Sequence, residues 1–471
     1  MSKMRPNILW VCTDQQRWDT IHSLGNEHIR TPHVDRLVAE GTAFTRCYSQ
    51  SPICTPSRSN FLTGCYPSTL HVNRNGNEFF PCPERLITRR LRDAGYDCGL
   101  AGKLHIAGAH KRVEPRTDDG YRFFRWSHHP YPEAFWPNEH HHYQAWLEEQ
   151  GVDWQAAYGE RGRGICHIGI EARFHQTTWC ANEAIAFMSE ERDRPWLMSV
   201  NPFDPHPPFD PPAEYMDRMD VASMPLPRFQ AEEIQSQLAF AEIDHQTREP
   251  VSPHDYDARR MLAAYYAQIE LIDDQVGRML EALDQTGQAD DTIVIFMSDH
   301  GDCVGDHGLL RKGCRFHEGS VRVPLVIRWP GRVQAGLRSD ALVELTDVPV
   351  ALMEATGLPV PEDTHGKSIL PILTGEADPG HHRDFVRCEY HDAMPGRDAS
   401  RANMIVDERY KLCIYHCHGI GELYDLHDDP CEFYNLWDDA SHQAVRHDLV
   451  KRIFDAVMLA TDDGQRRVGA F

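Results

Sequence analysis

The stretch CTPSRSNFLTG, residues 54–64, places a cysteine, a proline and an arginine at fixed offsets before a leucine-threonine-glycine ending. Pro56 suits the first turn of a helix, where a backbone N–H has no intrahelical partner. Arg58 follows Cys54 by four residues, so the two side chains lie on one face of such a helix. The stretch therefore predicts a helix that begins near Cys54 and holds a guanidinium beside its thiol.

Three apolar runs end in polar side chains. Residues 7–13, 95–101 and 292–298 each predict a strand, because they are short and rich in strand-forming residues. The polar side chains that follow them are, in order, Asp14 and Gln15, Lys103 and His105, and Asp299 and His300. Ligand groups in open α/β sheets gather at the carboxyl ends of strands, so we expect these side chains at one edge of a sheet.

Helical and strand patterns alternate along the chain. Residues 32–40 predict a helix, and residues 41–48 predict a strand that leads to the cysteine stretch. From 265 to 286, apolar residues recur at helical spacing, and a strand follows directly. This alternation favours an α/β fold, a sheet flanked by helices.

The length of the chain predicts two domains. At 471 residues it exceeds the usual size of a single core. We place a large α/β domain at residues 1–375 and a smaller α+β domain at 376–471. Residues 410–415 and 422–426 predict a hairpin in the smaller domain. An insertion rich in aromatic residues and histidine occupies about 121–165 of the large one.

Composition and charge exclude several classes of partner. Hydrophobic residues make up 41% of the chain and no apolar stretch approaches membrane-spanning length. The formal net charge of −23 argues against nucleic acid, whose phosphates require clustered positive charge. The first apolar run is too short for the core of a signal peptide, and the 14 cysteines lack the spacing of a disulfide framework. We expect a cytoplasmic protein with reduced thiols that binds neither nucleic acid nor membranes.

Residues 54–64 resemble the signature of the sulfatase family, and further matches extend from Asn7 to Leu436. In that family the first cysteine is oxidised enzymatically to formylglycine, whose hydrate attacks the sulfur of a sulfate ester. The resemblance implies an alkaline-phosphatase-like mixed sheet flanked by helices and a smaller C-terminal domain with an antiparallel sheet. It also implies a sulfuric ester hydrolase whose nucleophile derives from Cys54. A formylglycine-generating or equivalent maturation enzyme is an implied partner, and family members commonly form homo-oligomers.

The resemblance assigns roles to five basic side chains. Arg58 and Lys103 stabilise negative charge beside the hydrated aldehyde. His105 takes a proton from its second hydroxyl and so drives the release of sulfate. His206, which has a proline on either side, and Lys312 contact the sulfate or the leaving oxygen. All five are therefore candidate catalytic residues, and His206 and Lys312 are also candidate substrate-binding residues.

The family arrangement also implies a metal site. Asp14, Asp299 and His300 would surround one divalent cation together with the formylglycine oxygen at position 54, and Gln15 can offer a carbonyl oxygen. Sulfatases often carry two acids at the first position and Asp-Asn at the second, so this chain departs from the pattern at Gln15 and His300. A nitrogen ligand permits manganese as readily as calcium or magnesium, and the identity of the metal stays open.

Two other functions are compatible with the same residues. Phosphonate monoester hydrolases and phosphodiesterases of the same superfamily share the aldehyde and the metal, although the pair Lys103 and His105 favours sulfate. A non-catalytic metal- or anion-binding protein would keep Cys54 as a thiol. On the leaving-group side, Asn75 is a candidate contact to a substrate oxygen, and the aromatic insertion suits an aryl, sugar or cationic alcohol.

Overall fold

A large sheet forms the centre of the molecule. The computed structural model describes residues 5–109, 112–128, 141–159, 164–394 and 400–461. Its large sheet contains β1 (Asn7–Thr13), β2 (Thr42–Tyr48), β3 (Asp97–Gly102), β4 (Phe123–Trp126), β5 (Trp196–Asn201), β6 (Thr292–Ser298), β7 (Arg322–Val323), β8 (Leu325–Arg328) and β9 (Leu337–Glu344).

The sheet is mixed, as the resemblance implied. Its strand order is β4-β3-β5-β1-β6-β8-β2-β7, with β9 paired to β2. The five strands from β4 to β6 run parallel to one another, whereas β8 is antiparallel to both β6 and β2. The parallel half therefore brings the carboxyl ends of β3, β5, β1 and β6 to one edge.

Helices cover both faces of this sheet. The α-helices are α1 (Pro32–Glu40), α2 (Cys54–Thr63), α3 (Ile87–Asp93), α4 (His142–Glu149), α5 (Trp154–Tyr158), α6 (Gln176–Met188), α7 (Ala213–Met216), α8 (Glu233–Leu238), α9 (Ala258–Gln285), α10 (Glu318–Val321), α11 (Asp347–Thr356), α12 (Leu370–Thr374) and α13 (Gln443–Leu459). Helices α1, α6 and α9 pack on one face, and α2, α3, α11 and α12 on the other. In the described ranges, every helix is too short or too polar to cross a bilayer.

Strand β1 shows why its sequence is an unbroken apolar run. Ile8, Trp10 and Cys12 pack into the core on one face of the sheet, and Leu9 and Val11 pack into the core on the other. A strand that is covered on both faces has no solvent side, so it loses the alternation of polar and apolar residues. This two-sided burial confirms the predicted α/β fold.

A second, antiparallel sheet lies near the C-terminus. It contains β10 (Val386–His391), β11 (Arg401–Val406), β12 (Tyr410–Tyr415) and β13 (Ile420–Asp425), in that order. Helix α13 packs on it through Leu449 and Ile453. Strands β12 and β13 confirm the predicted hairpin, whereas the division of the chain into domains after residue 375 stays a prediction.

Two regions differ from what the pattern predicted. Helix α9 begins at Ala258, whereas the sequence pattern predicted a start at Tyr265. The pattern missed the first turns because residues 261–266 are buried on all sides and therefore show no alternation of polar and apolar faces. Of the aromatic insertion, β4, α4 and α5 lie within the described residues. His129, Trp136 and His140 lie outside them.

We expect the variant Leu280→Ala to lower the free energy of unfolding by about 2–5 kcal/mol. Leu280 is 2% exposed on α9 and packs against the central sheet, so truncation leaves a cavity. Urea-induced unfolding measures the effect. The control is Glu281→Ala at the exposed neighbouring position, for which we expect the free energy of unfolding to change by at most about 0.5 kcal/mol. Equal effects of the two variants would contradict the packing described for α9.

Candidate active site

The register of two neighbouring strands places two carboxylates side by side. Strands β1 and β6 pair in parallel, with Thr13 opposite Ser298. Asp14 and Asp299 follow these two residues directly, and both are fully buried. The backbone N–H of Gln15 donates to Asp299 Oδ1 at 3.0 Å, which links the ends of the two strands.

Helix α2 points its N-terminus at these carboxylates, and Cys54 is its first residue. The side chain of Ile53, the N-cap residue, accepts no hydrogen bond from the helix. Asn75 Oδ1 instead accepts the backbone N–H of Thr55 at 2.9 Å and so replaces a local cap. Asn75 therefore has a structural contact at the start of α2, and its contact with substrate stays a prediction.

The thiol of Cys54 lies between a carboxylate, an imidazole and an ammonium group. Its Sγ is 3.6 Å from Asp14 Oδ1 and 3.2 Å from His300 Nε2. Lys312 Nζ donates to the same Sγ at 2.8 Å and lies 3.0 Å from His300 Nε2. Residues far apart in sequence thus converge on the first residue of α2.

Two further cations neutralise the carboxylates. Arg58 Nε donates to Asp299 Oδ2 at 2.8 Å, and Nη1 donates to the carbonyl of Lys103 at 2.9 Å. Lys103 Nζ forms an ion pair with Asp14. Arg58 lies one helical turn after Cys54, as the spacing in the sequence predicted.

The donor set at this edge fits a divalent cation. Asp14, Cys54, Asp299 and His300 each offer a ligand atom, and these atoms lie within 4.8 Å of one another. His300 Nδ1 is 2.9 Å from the carbonyl of Gly301, which directs the Nε2 lone pair toward Cys54 and Lys312, and a metal bound there would replace the contact with Lys312 Nζ.

Gln15 supports this fit. Its Nε2 donates to the carboxylate of Asp302, so the orientation of the amide is fixed. Its Oε1 is buried, and within the described residues it has no hydrogen-bond partner. A buried acceptor without a donor is costly, and a cation would satisfy it.

A buried carboxylate holds His105. Glu114 accepts the backbone N–H groups of His105 at 2.7 Å, Ile106 at 2.6 Å and Ala107 at 2.9 Å. Trp126 Nε1 adds a fourth hydrogen bond at 3.2 Å. His105 has a φ of 56°, in the left-handed region, and these bonds stabilise that unusual backbone conformation.

Aromatic rings connect His105 with His206. The His105 ring lies 5.2 Å from that of His128, which is 5.2 Å from Phe203, and Phe203 is 4.4 Å from His206. His206 Nδ1 lies 2.6 Å from the carbonyl of Pro207, so its Nε2 faces away from this backbone contact. The two histidines predicted from separate motifs are thus connected through the rings of His128 and Phe203.

Burial and the neighbouring charges set the protonation of the site. Burial and Asp14 raise the pKa of Cys54, but Lys103, Lys312 and His300 lower it more, so its pKa lies well below the usual value. Burial and Lys103 lower the pKa of His105 to about 4. Burial and Lys312 lower the pKa of His206 well below its usual value. Both histidines are therefore neutral at pH 7.

The sequence alone did not indicate two residues of this site, Glu114 and Asp302. His128 belongs to the predicted aromatic insertion, whereas Glu114 lies in a loop without a recognisable motif, and only the folded backbone brings it to His105. Asp302 follows Asp299 by three residues, and this acidic spacing after a strand was the one available signal.

Comparisons with known proteins agree with this geometry. The family model described as Sulfatase matches residues 6–358, and the model described as N-sulphoglucosamine sulphohydrolase, C-terminal, matches residues 305–458. An arylsulfatase of Clostridium perfringens is 28% identical over 98% of this chain and 96% of its own length. A choline-sulfatase of Rhizobium meliloti is 29% identical over 93% of this chain and 83% of its own.

A solved structure is similar over nearly the whole chain. It is a phosphonate monoester hydrolase of Agrobacterium radiobacter, with a TM-score of 0.80 and 28% identity over 97% of this chain and 96% of its own. The sulfatase model covers well over half of the chain and includes the residues gathered around Cys54. The chain therefore belongs to the sulfatase family, a family of sulfuric ester hydrolases.

Proposed function

We propose that the chain hydrolyses a sulfate ester, with a formylglycine derived from Cys54 as nucleophile and one divalent cation beside it. The observation that carries this proposal is the position of the Cys54 Sγ, 3.2 Å from His300 Nε2 and 2.8 Å from Lys312 Nζ. An oxygen nucleophile at residue 54 would face the metal ligands on one side and a cationic side chain on the other.

Oxidation of Cys54 to formylglycine explains how a position encoded as cysteine can provide an oxygen nucleophile. The hydrated aldehyde supplies one hydroxyl to attack sulfur and a second whose deprotonation releases sulfate and restores the aldehyde. The maturation enzyme that carries out this oxidation is an implied partner.

The residues Asp14, Gln15, Asp299 and His300 would hold the cation. A bound divalent cation supplies positive charge that lowers the pKa of the attacking hydroxyl. Calcium, magnesium and manganese all suit this mixture of oxygen and nitrogen ligands.

The remaining side chains bind and move protons. Arg58 Nη2 is buried without a hydrogen-bond partner in the described part of the chain, so it can bind an anionic oxygen near residue 54. His105 is neutral, as a general base must be. His206 and Lys312 would bind the sulfate, and Lys312 would offset negative charge on the departing oxygen.

A phosphonate monoester or phosphodiester hydrolase is the second candidate. The observation that favours it is the likeness to the phosphonate monoester hydrolase, which is as similar in sequence as the arylsulfatase. Lys103 and His105 favour sulfate, because the resemblance to sulfatases includes this pair. A non-catalytic metal- or anion-binding protein is disfavoured, because Cys54, Arg58, Lys103, His105, His206 and Lys312 all match the family.

A comparison of three substrates tests the reaction. We expect an aryl sulfate to have a higher kcat/KM than an aryl phosphonate monoester or an aryl phosphodiester. Cys54→Ala should lower each rate by about a thousandfold or more, because it removes the nucleophile. Cys417→Ala, at an exposed cysteine, is the control. A phosphorus ester that is turned over fastest, with the same dependence on Cys54, would reassign the reaction.

Two variants separate the two chemical steps. His105→Ala should lower kcat by about 10²–10⁴-fold and leave a burst of one alcohol per active site, because only the release of sulfate loses its base. Lys312→Ala should slow the departure of the alcohol and show no burst. Rapid-quench measurement of alcohol and sulfate distinguishes the variants. A burst in Lys312→Ala but none in His105→Ala would reverse the assigned roles.

Removal of the metal should abolish turnover. Dialysis against a chelator is expected to lower kcat by at least about a hundredfold, and titration with manganese, calcium or magnesium should restore it. His300→Asn should shift the preference away from manganese toward calcium, because it replaces the nitrogen ligand with oxygen. Full activity in protein shown by elemental analysis to be metal-free would contradict the role of the cation.

A further inference from the structure

A second buried cluster of metal-ligand side chains lies apart from the candidate active site. His307, His317 and Glu432 each offer a ligand atom, and these atoms lie within 4.8 Å of one another. His307 lies in the short turn Asp306–Gly308, His317 immediately precedes α10, and Glu432 lies beyond β13. The fold thus joins two parts of the chain that are more than a hundred residues apart.

A carboxylate orients the first histidine. His307 Nδ1 lies 2.6 Å from Glu233 Oε1 of α8. A proton on Nδ1 that is donated to this carboxylate leaves the Nε2 lone pair for another partner. Histidines that bind metals are usually held in this way, with the second ring nitrogen donating to a carboxylate or carbonyl.

The imidazole of the second histidine, His317, is buried without hydrogen-bond partners among the described residues. The side chain of His317 is 4% exposed, and neither of its ring nitrogens has a hydrogen bond within the described residues. Its Nδ1 lies 3.7 Å from Glu432 Oε2, which is too long for a hydrogen bond. Two ligands of a tetrahedral zinc ion, each about 2.0–2.2 Å from it, lie roughly 3.3–3.6 Å apart. The observed separation suits an ion between the two atoms.

Glu432 is held for such a role. Its Oε1 accepts from Lys411 Nζ at 2.8 Å, and its Oε2 accepts the backbone N–H of Glu318 at 2.7 Å. Glu432 has a φ of 58° and His307 a φ of 59°, so both residues adopt the left-handed conformation that side chains disfavour. Backbone strain of this kind is concentrated at functional sites.

The charges around the cluster leave an excess of negative charge. Lys411 Nζ is shared between Glu432 and Glu318, and Arg322 Nη1 lies 3.2 Å from Glu318 Oε2. The third carboxylate, Glu233, contacts His307. Three carboxylates therefore face two permanent cations, and a divalent cation would offset the difference.

The two imidazoles stack, with ring centroids 3.8 Å apart and planes 13° apart. To bind one ion, the rings have to tilt out of this stack, because the nitrogen lone pairs lie in the ring planes and those of nearly parallel rings do not converge on one point.

We propose that His307, His317 and Glu432 form a second metal site, which takes a zinc-class cation and is supported by Glu233 behind His307. Two imidazoles and one carboxylate are a ligand set that suits zinc, whereas the candidate catalytic site is richer in oxygen. Lys312 lies midway between His307 and His317 in the sequence. The ion would therefore fasten both ends of the segment that carries Lys312 to the C-terminal part of the chain.

Anomalous diffraction at the zinc absorption edge tests the site in the unaltered protein. Crystals grown with zinc chloride should show a peak between His307, His317 and Glu432, separate from any peak beside Asp14 and Asp299. A peak beside Asp14 alone would overturn the proposal and leave the proposed catalytic cation intact. A map that shows no zinc peak at all would overturn the proposal as well.

Zinc content in solution provides the second measurement. The unaltered protein and the variant His317→Gln are each treated with chelator and reloaded with zinc. The variant should then contain one equivalent of zinc per chain less than the unaltered protein. Asp14→Asn should lose only the equivalent at the candidate catalytic site. His381→Gln, at an exposed histidine, is the matched control and should lose none. Equal zinc content in folded His317→Gln and His381→Gln, verified by circular dichroism, would refute the site. Should His317→Gln fail to fold, Glu432→Gln serves as the second variant with the same expected loss.

Discussion

The parallel pairing of β1 with β6 is the constraint on which the site depends. Thr13 and Ser298 lie opposite each other at the ends of β1 and β6, and an aspartate follows each of them. The two aspartates are therefore buried side by side at the same edge of the sheet. Burial and Asp14 raise the pKa of Asp299, while His300 and Arg58 act against this effect. Two adjacent buried carboxylates are stable only with cations close by, and the fold supplies them from other elements.

Those cations change the sign of the local charge. Arg58 pairs with Asp299, Lys103 pairs with Asp14, and Lys312 adds a third positive group beside Cys54. With residue 54 uncharged, as in the formylglycine that we propose, these five side chains carry one net positive charge before any metal binds, although the whole chain has a formal charge of −23. An anionic ester is thus attracted by the site itself and not by the field of the whole protein.

The sequence predicted the strands that carry the site because each of them is a simple apolar run. Residues 7–13 and 292–298 were assigned with the bounds of β1 and β6. Helix α9 was predicted too short, since residues 261–266 contact protein on every side and show no polar face. Glu114 could not be found from sequence, because its role is to bind three consecutive backbone N–H groups and this leaves no pattern of residue types.

The segment from Asp299 to Glu318 links both candidate sites to the C-terminal sheet. It starts with the proposed metal ligands, carries Lys312 in its middle, and ends at Glu318, whose carboxylate binds Lys411 of β12 at 2.9 Å. Arg315 forms a buried ion pair with Glu422 of β13. These contacts cross the division that we predict after residue 375. The position of Lys312 beside Cys54 therefore depends on residues of β12 and β13, which contribute no candidate catalytic group themselves. The smaller sheet thus binds the far end of the segment that holds Lys312, through Lys411 and Glu422.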